Sequence, residues 1–305
     1  MTTEVGNVPE RGAALAVDKP AGPTSHDIVT WARRSVGVRR IGHTGTLDPF
    51  ASGLLILLIG PATRLSEYVS GLPKVYSARA LLGVSTDTDD ARGQAVETGS
   101  SRRMPARAEV EEELSRFLGQ IQQVPPQFSA KKIDGEPMYK KARRGEVVDL
   151  APVDVEISRI QVTEFNPPEV TFEVACSGGT YIRALARDLG ERLGVGAHLT
   201  ALRRLSVGNI TVEHAMPGGD LREGYVPTPA QWLDPVEAVG HLRAVRVLGE
   251  SARRFRYGES VSLPEADLEA GPPIAVLDDM GLVGIGEVRD ERLAPRKVLV
   301  GLPAS

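Results

Sequence analysis

The longest apolar run in the chain is only six residues, and it constrains the fold more than any other feature. The run is LLILLI at residues 54–59, bounded by Gly53 and by the pair Gly60-Pro61. A transmembrane helix needs about 20 apolar residues, so the run cannot span a bilayer. A short apolar run between turn residues instead predicts a buried strand. With 305 residues, the chain is long enough to bury that strand without disulfide bonds.

The remaining segments predict an α+β fold. Strand-like patterns occur at residues 13–18, 75–83, 153–162, 170–177 and 203–212. Helix-like patterns occur at about 24–36, where Thr24 or Ser25 is a suitable N-cap, and at 63–70, 108–117 and 182–193. These segments lack the regular strand–helix–strand alternation of a doubly wound sheet.

The chain is expected to contain two domains. Residues 1–12 are predicted to be a loose leader, and residues 13–242 the main domain. Within it, residues 124–152 mix proline, glycine and bases, which is typical of a long functional loop. Beyond residue 242, turns separate short strand-like runs at 244–248, 260–263, 274–278, 283–288 and 298–300. That pattern predicts a small β-domain over residues 243–305.

Charge is segregated along the sequence. The net charge is −4, which taken alone argues against a polyanionic partner. Four segments nevertheless carry a net charge of +15, and the other 247 residues carry −19. Either the four segments converge into one basic face or they are separate solvated helix faces. The segments are residues 33–40, 131–144, 183–204 and 243–256.

No metal site is expected. Cys176 is the single cysteine, so an internal disulfide is impossible and a cysteine-based zinc site is excluded; a reducing, cytoplasmic setting fits this usage. The five histidines show no helical ligand spacing, and no glycine-rich run ends in Gly-Lys-Ser/Thr. Residues 1–10 lack the basic start and apolar core of a signal peptide, and no membrane association is expected.

The glycine-rich segment before the apolar run carries the most distinctive chemistry. Asp48 lies between two glycine-containing turns, and Pro49 pushes it toward an extended backbone. Asp48 is either a carboxylate held rigidly in the floor of a cleft or the cap of a turn, as in many Asp-Pro pairs. Local chemistry alone favours the turn cap.

Several motifs together resemble a known family. The run GHTGTLDPFASGL at residues 42–54 resembles the catalytic loop of the TruB-type pseudouridine synthases, GHxGTLDPxAxGxL. The resemblance covers residues 13–208 in order and spacing. Further similar motifs are DKPAGPTS (18–25), Tyr76 with GVSTDTDDARG (83–93), PPQFSAKK (125–132), CSGGTYIR (176–183) and AHLTALRR (197–204). The fold implied is a mixed, largely antiparallel central sheet flanked by helices and loops, with a small C-terminal PUA-like β-domain.

The resemblance implies an isomerase that acts on RNA. The family converts uridine 55 in the T-loop of tRNA to pseudouridine by flipping the base, cleaving the glycosidic bond, rotating the base and rejoining it through carbon 5. No redox step or phosphate energy is involved, so no cofactor is implied. Two alternatives stay open: a non-catalytic RNA-binding or tRNA-folding protein on the same scaffold, and a synthase that acts on a different uridine or RNA.

The resemblance also implies roles for individual residues. Asp48 matches the catalytic nucleophile, and Arg183 matches its salt-bridge partner, 135 residues later in the chain. Tyr76 matches the aromatic residue that stacks on the flipped uracil and assists the final deprotonation. Together these three form the implied catalytic set.

Six further residues are implied in substrate binding. His43 would fill the space that the flipped base leaves, and Tyr181 and Leu202 would line the pocket, although core packing is as good an interpretation of Leu202. Lys19 is expected to hold a turn or contact a phosphate. Lys131 and Lys132 would contact phosphates from the basic insertion at 124–152. The family likeness also implies a monomer.

Overall fold

A computed structural model describes residues 8–96, 103–127, 132–133, 136–137, 144, 150–262 and 271–299. Its helices are α1 (Ser25–Val36), α2 (Ser66–Ser70), α3 (Arg107–Ser115), α4 (Ile182–Arg192), α5 (Gly218–Arg222), α6 (Pro235–Ala238) and α7 (Gly249–Arg256). Short 3-10 helices cover Gly60–Leu65, Val212–His214 and Pro229–Gln231.

The strands among the described residues range from two to 14 residues in length. They are β1 (Ala13–Lys19), β2 (Ile41–His43), β3 (Ser52–Ile59), β4 (Lys74–Leu82), β5 (Ser85–Thr86), β6 (Ala95–Val96), β7 (Gly119–Gln123), β8 (Lys132–Ile133), β9 (Glu136–Pro137), β10 (Val153–Asn166), β11 (Glu169–Cys176), β12 (Ala197–Val207), β13 (Ile210–Thr211), β14 (Met216–Pro217), β15 (Trp232–Leu233), β16 (Ala244–Arg246), β17 (Ile274–Asp278), β18 (Gly281–Arg289) and β19 (Arg292–Val298).

The chain forms two compact units that are not continuous in sequence. The first unit comprises residues 1–47, 54–70 and 210–305, and the second comprises residues 48–53 and 71–209. The boundary predicted near residue 242 divides the sequence at a single point, whereas these two units group residues by contact in space. The predicted boundary therefore stays a prediction.

The second unit is built on an antiparallel sheet with strand order β12-β4-β11-β10-β7. Alternate residues of β4 are buried, as expected of a strand that packs on one face. The start of β3 pairs in parallel with β12 through Ser52 and Gly53. Helix α4 packs against β12, and α3 packs against β10.

The first unit contains two sheets. In one, β14, β1 and β3 are neighbours, and β2 and β15 pair with β3 and β1. Helix α1 covers this sheet with its apolar face, and Thr24 and Asp27 close its N-terminus as a capping box. The other sheet has the order β16-β17-β18-β19, and α7 packs on it through Phe255.

The α+β prediction and the largely antiparallel sheet are confirmed, and the small C-terminal sheet is consistent with the predicted PUA-like domain. Every residue of the apolar run at 54–59 is buried within β3, as predicted. Among the described residues, no helix is both long enough and apolar enough to cross a membrane.

Two local predictions were wrong, and one helix was missed. The strand expected at 203–212 begins at Ala197, because register shifts in β12 interrupt the period-two pattern that marks a strand. Helix α7 was missed because only Ala252 and Phe255 of its eight residues are buried. The strand expected at 298–300 instead runs from Arg292 to Val298. Its basic residues and Pro295 interrupt the apolar alternation that marks a strand.

Candidate active site

The loop that carries Asp48 is held by an unusually close approach between two strands. Gly53 pairs with Arg204 of β12, and its φ is 99°. A Cβ atom on Gly53 would lie 2.2 Å from the carbonyl oxygen of Arg204, so only glycine fits there. On the other side of the loop, the amide of Ala51 donates to the carbonyl of Asp48 at 3.1 Å. These contacts fix the backbone that presents the Asp48 carboxylate.

The structure brings Asp48 and Arg183 together, as the predicted pairing requires. Arg183 Nε lies 2.9 Å from Asp48 Oδ2, and Nη2 lies 3.4 Å from Oδ1. The Arg183 side chain is 5% exposed, whereas the Asp48 side chain is 34% exposed. The guanidinium is therefore the buried support, and the carboxylate remains open to a substrate. This geometry favours the interpretation of Asp48 as a held carboxylate, and its role stays a prediction.

The loop between β5 and β6 holds the other side of the Arg183 guanidinium. Nη1 donates to the carbonyl of Thr88 at 2.9 Å and lies 3.7 Å from Asp90 Oδ2. Asp90 is buried and is itself fixed by the Thr88 hydroxyl and the amide of Arg92. Sequence analysis did not single out Asp90, although it lies in the motif at 83–93. The two carboxylates share one guanidinium.

A second ion pair lies one helical turn along α4. Arg187 follows Arg183 by four residues, so both side chains project from the same side of the helix. Arg187 Nη1 lies 3.1 Å from Asp89 Oδ2. Asp89 adopts a φ of 58°, a left-handed conformation that is uncommon for a residue other than glycine. Burial raises the pKa of Asp89 to about 6, against the opposing effect of Arg187.

Tyr76 lies in a buried, positively charged part of the sheet. It pairs directly with Arg204, whose side chain hydrogen bonds its hydroxyl. Burial raises the pKa of Tyr76, and the Arg204 charge opposes that rise. Lys74, two residues earlier on β4, is also buried, and burial followed by repulsion from Arg204 lowers its pKa to about 8. The negative charge of Asp48 also acts on the Tyr76 hydroxyl and contributes to the rise of its pKa.

The other predicted site residues of the second unit have mixed outcomes. Leu202 is buried and pairs with Ala78, on the same sheet face as Tyr76. Tyr181 is half-buried and immediately precedes α4. Lys131 lies outside the described residues, and Lys132 lies in β8 with its side chain outside the description. Their roles stay predictions.

Two predicted residues belong to the first unit. His43 is half-buried, ends β2 and pairs with Leu57 of β3. Lys19 is fully buried, and its Nζ donates to the carbonyls of Pro20 and Pro23 at 3.0 and 2.8 Å. An ammonium group enclosed in this way stabilises the turn, which is one of the two roles expected of Lys19; the phosphate contact stays a prediction.

The segment at 183–204 does not present the free basic surface that its composition suggests. Arg183 and Arg204 are buried, and Arg187 and Arg192 lie near acidic side chains. In the segment at 243–256, Arg253, Arg254 and Arg256 also pair with carboxylates. Counting charges along the sequence does not reveal these ion pairs, because the acidic partners lie either in other segments or close by in the same segment. Convergence of the four basic segments on one face stays a prediction.

The described residues contain no group of three or more His, Cys, Asp or Glu side chains placed to hold a metal ion. What they do contain is a carboxylate that is one-third exposed and aimed by a buried guanidinium. A hydrogen-bonded opposite charge favours the ionised carboxylate and restricts its rotation. Both properties suit a nucleophile.

Two family models and the curated relatives match this chain over most of its length. The model described as TruB family pseudouridylate synthase (N terminal domain) matches residues 33–182, and the one described as tRNA pseudouridylate synthase B C-terminal domain matches residues 183–239. The tRNA pseudouridine synthase B of Burkholderia lata is 41% identical over 96% of this chain and 92% of its own length. That of Geobacter sulfurreducens is 42% identical over 85% of this chain and 86% of its own length.

Solved structures support the fold. A chain from an H/ACA ribonucleoprotein bound to a substrate RNA containing 2'-deoxyuridine has a TM-score of 0.73, with 22% identity, over 99% of this chain and 92% of that one. A chain from a Cbf5-Nop10-Gar1 complex has a TM-score of 0.72, with 23% identity, over 98% of this chain and 91% of that one. At these identities the likeness shows a shared fold.

Proposed function

Because the chain belongs to the TruB family of pseudouridylate synthases, we propose that it converts uridine 55 in the T-loop of tRNA to pseudouridine. The observation that carries the proposal is the pairing of Asp48 with Arg183, since it joins two motifs 135 residues apart into one reactive group. The bacterial relatives named tRNA pseudouridine synthase B support tRNA as the substrate. A tRNA substrate in turn supports a cytoplasmic location.

In the proposed reaction, the Asp48 carboxylate forms a bond to the nucleoside, either at C6 of the base or at C1′ of the ribose. The bond between N1 and C1′ breaks, the uracil rotates, and C5 bonds to C1′. In the C1′ route the carboxylate leaves C1′ as the bond to C5 forms, and in the C6 route it leaves C6 afterwards. C5 then loses its proton while N1 gains one. Atoms and electrons balance within the nucleotide, so the proposed isomerisation consumes no co-reactant.

Arg183 is proposed to keep the nucleophile ionised and aimed. Its two contacts with Asp48 leave about a third of that side chain exposed for attack. Thr88 and Asp90 hold the same guanidinium from its other side, so it has little freedom to follow the substrate. A nucleophile that is already oriented needs less rearrangement to reach the transition state.

Tyr76 is proposed to stack on the flipped uracil and to help remove the C5 proton. The ordinary pKa of tyrosine, about 10, already keeps the phenol neutral near pH 7, and burial raises the pKa of Tyr76 further. Transfer of a proton to or through its hydroxyl therefore needs a neighbouring positive charge, and Arg204 supplies one by a direct hydrogen bond. Stacking of a base on an aromatic ring contributes about 1–3 kcal/mol.

Base flipping and RNA docking complete the proposal. His43 is proposed to fill the vacated space, while Tyr181 and Leu202 line the uracil pocket. Unstacking the base costs about a few kcal/mol, which these contacts would offset. Lys131 and Lys132, within the proposed basic insertion at 124–152, would contact phosphates, and the PUA-like region at 243–305 would add to tRNA binding. The protein is proposed to act as a monomer.

The test is incubation of the protein with an unmodified T-stem-loop RNA, followed by mapping of pseudouridine at every uridine. We expect conversion at the position of uridine 55 alone, and no product from an RNA with cytidine there. Pseudouridine only at another uridine would instead support a different target within the same family. Tight RNA binding without any pseudouridine would support the non-catalytic alternative and overturn the proposal.

A further inference from the structure

Gln123 is a fully buried amide that binds the start of the helix carrying Arg183. Tyr181 N donates to Gln123 Oε1 at 3.0 Å, and Gln123 Nε2 donates to Tyr181 O at 3.3 Å. Among the described residues, this side chain hydrogen bonds only to Tyr181. The side-chain amide therefore pairs with both backbone polar groups of one residue, as a neighbouring strand would.

The start of α4 depends on an external partner. Tyr181 is its N-cap, with φ −98° and ψ 103°, and its side chain makes no capping hydrogen bond. The Tyr181 carbonyl that accepts from Gln123 also accepts the first helical bond, from Leu185 N at 3.2 Å. Gln123 thus acts on the backbone group from which the helix begins, two residues before Arg183.

Gln123 is well placed to act as a fixed reference. It is the last residue of β7 and pairs with Val153 of β10, so the sheet sets its backbone position. The next residue, Val124, accepts a hydrogen bond from Arg187 Nη2 at 3.0 Å, one turn further along α4. Two consecutive residues at the end of β7 therefore hold two consecutive turns of α4.

We propose that Gln123 is a positioning residue that holds the start of α4, and with it Arg183, at the distance from Asp48 that the isomerisation requires. The inference rests on the proposed function. The contact between Arg183 Nη2 and Asp48 Oδ1 is already 3.4 Å, near the limit of a hydrogen bond, so a small shift of the helix start breaks it. Gln123 acts through Tyr181 and Arg183 and touches no reacting atom.

The decisive variants are Gln123→Leu and Gln123→Glu, with Gln122→Leu as the matched control. Gln122 is the preceding residue of the same strand, is exposed, and donates a hydrogen bond to Asp154 of β10. We expect Gln123→Leu to reduce the single-turnover rate on T-stem-loop RNA at least tenfold and to leave the RNA dissociation constant within twofold. The control variant is expected to match the parent in both measurements.

Gln123→Glu distinguishes the hydrogen bonds of residue 123 to Tyr181 from the packing of its side chain. A protonated carboxyl still donates to the Tyr181 carbonyl and accepts from the Tyr181 amide, whereas an ionised one only accepts. The rate of this variant, relative to the parent at the same pH, is therefore expected to fall as the pH rises from 5 to 8. This variant also provides the test if Gln123→Leu does not fold.

A full rate in Gln123→Leu, a loss confined to RNA affinity, or a rate ratio for Gln123→Glu that does not change with pH would overturn the inference. The parent is assayed first. If the parent forms no pseudouridine, the proposed function fails. If the parent is active and the Gln123 variants behave like it, only the positioning role fails.

Discussion

Two arginine–carboxylate clusters, one in each unit, combine the same groups in opposite ratios. In the second unit, one guanidinium, that of Arg183, is shared by Asp48 and Asp90. In the first unit, one carboxylate, that of Asp278, is shared by Arg11 and Arg256. The first arrangement leaves a carboxylate partly uncovered, and the second covers it on all sides.

The Asp278 cluster has the properties of a buried ion-pair cluster that stabilises the fold. Arg11 donates to both carboxylate oxygens, at 2.6 and 2.8 Å, Arg256 donates to Oδ2, and the amide of Met280 adds a bond of 2.8 Å. Burial alone raises the pKa of Asp278, but the bonds from Arg11 and Arg256 hold it far below the usual range. The bonds join the segment before β1 to the ends of β17 and α7.

The exposed fraction of the carboxylate separates the two clusters. The Asp278 side chain is 4% exposed and the Asp48 side chain 34%, although both contact arginine within 3 Å. A carboxylate with every lone pair satisfied stabilises the fold and has nothing left with which to react. One that is held on one side and open on the other retains its nucleophilicity, and the fold gains less from it.

The largest expected effect follows Asp48→Asn. An amide of the same size is not nucleophilic, so we expect the single-turnover rate to fall by about 10⁴-fold or more. RNA affinity and the free energy of unfolding should change little. Single-turnover kinetics, filter binding and urea unfolding measure the three quantities. Substantial turnover in this variant would contradict the assignment of Asp48 as nucleophile.

Asp278→Asn should show the opposite profile. Removing the charge leaves two arginines beside a neutral amide, and we expect a loss of about 3 kcal/mol in the free energy of unfolding. The rate of the folded fraction should be unchanged. The pKa of Asp278 is lowered by folding, so its contribution is complete above about pH 4 and is lost only at lower pH. The loss measured by urea unfolding should therefore be the same at pH 5 and pH 8.

A suitable control for that experiment is Asp279→Asn, since Asp279 is the adjacent, exposed carboxylate. Equal losses in both variants would show that the cluster around Asp278 adds nothing specific.

Asp90→Asn tests whether sharing the guanidinium is important. The contact of 3.7 Å is longer than the 2.9 Å contact with Asp48, so the expected loss is smaller, about tenfold in the single-turnover rate. The variant should still bind RNA, because Asp90 acts through Arg183. A rate equal to that of the parent would show that Thr88 alone positions the guanidinium.

The last expected effect, on stability alone, is a pH dependence. Folding raises the pKa of Asp89 to about 6, so the folded protein takes up a proton more readily than the unfolded chain. This residue therefore adds stability as the pH falls from about 6 to about 4, and we expect a gain of up to about 3 kcal/mol. Asp89→Asn should lack that increment in urea unfolding across the same range. Parallel pH profiles of the variant and the parent would contradict the raised pKa.

Local patterns were enough for the elements whose signal lies within a few residues. The apolar run between glycines predicted buried β3, and the N-cap candidates Thr24 and Ser25 predicted the start of α1, because both depend on neighbouring residues. The opposite holds for α7 and the first half of β12. The helix has too few apolar residues, and bulges break the strand alternation, so only packing against neighbours defines them.

The sequence by itself determined the fold class, the family and the identity of the exposed carboxylate, since motif order and residue type are properties of the chain. Only the tertiary structure decided what that carboxylate contacts. The pair with Arg183 spans 135 residues. Asp90 reaches the same guanidinium from a loop, and Gln123 reaches the start of α4 from a strand end, and no local pattern connects them. Burial converts Arg204 from an apparent surface base into a buried partner of Tyr76. Charge, distance and desolvation act through space, and the fold sets those distances.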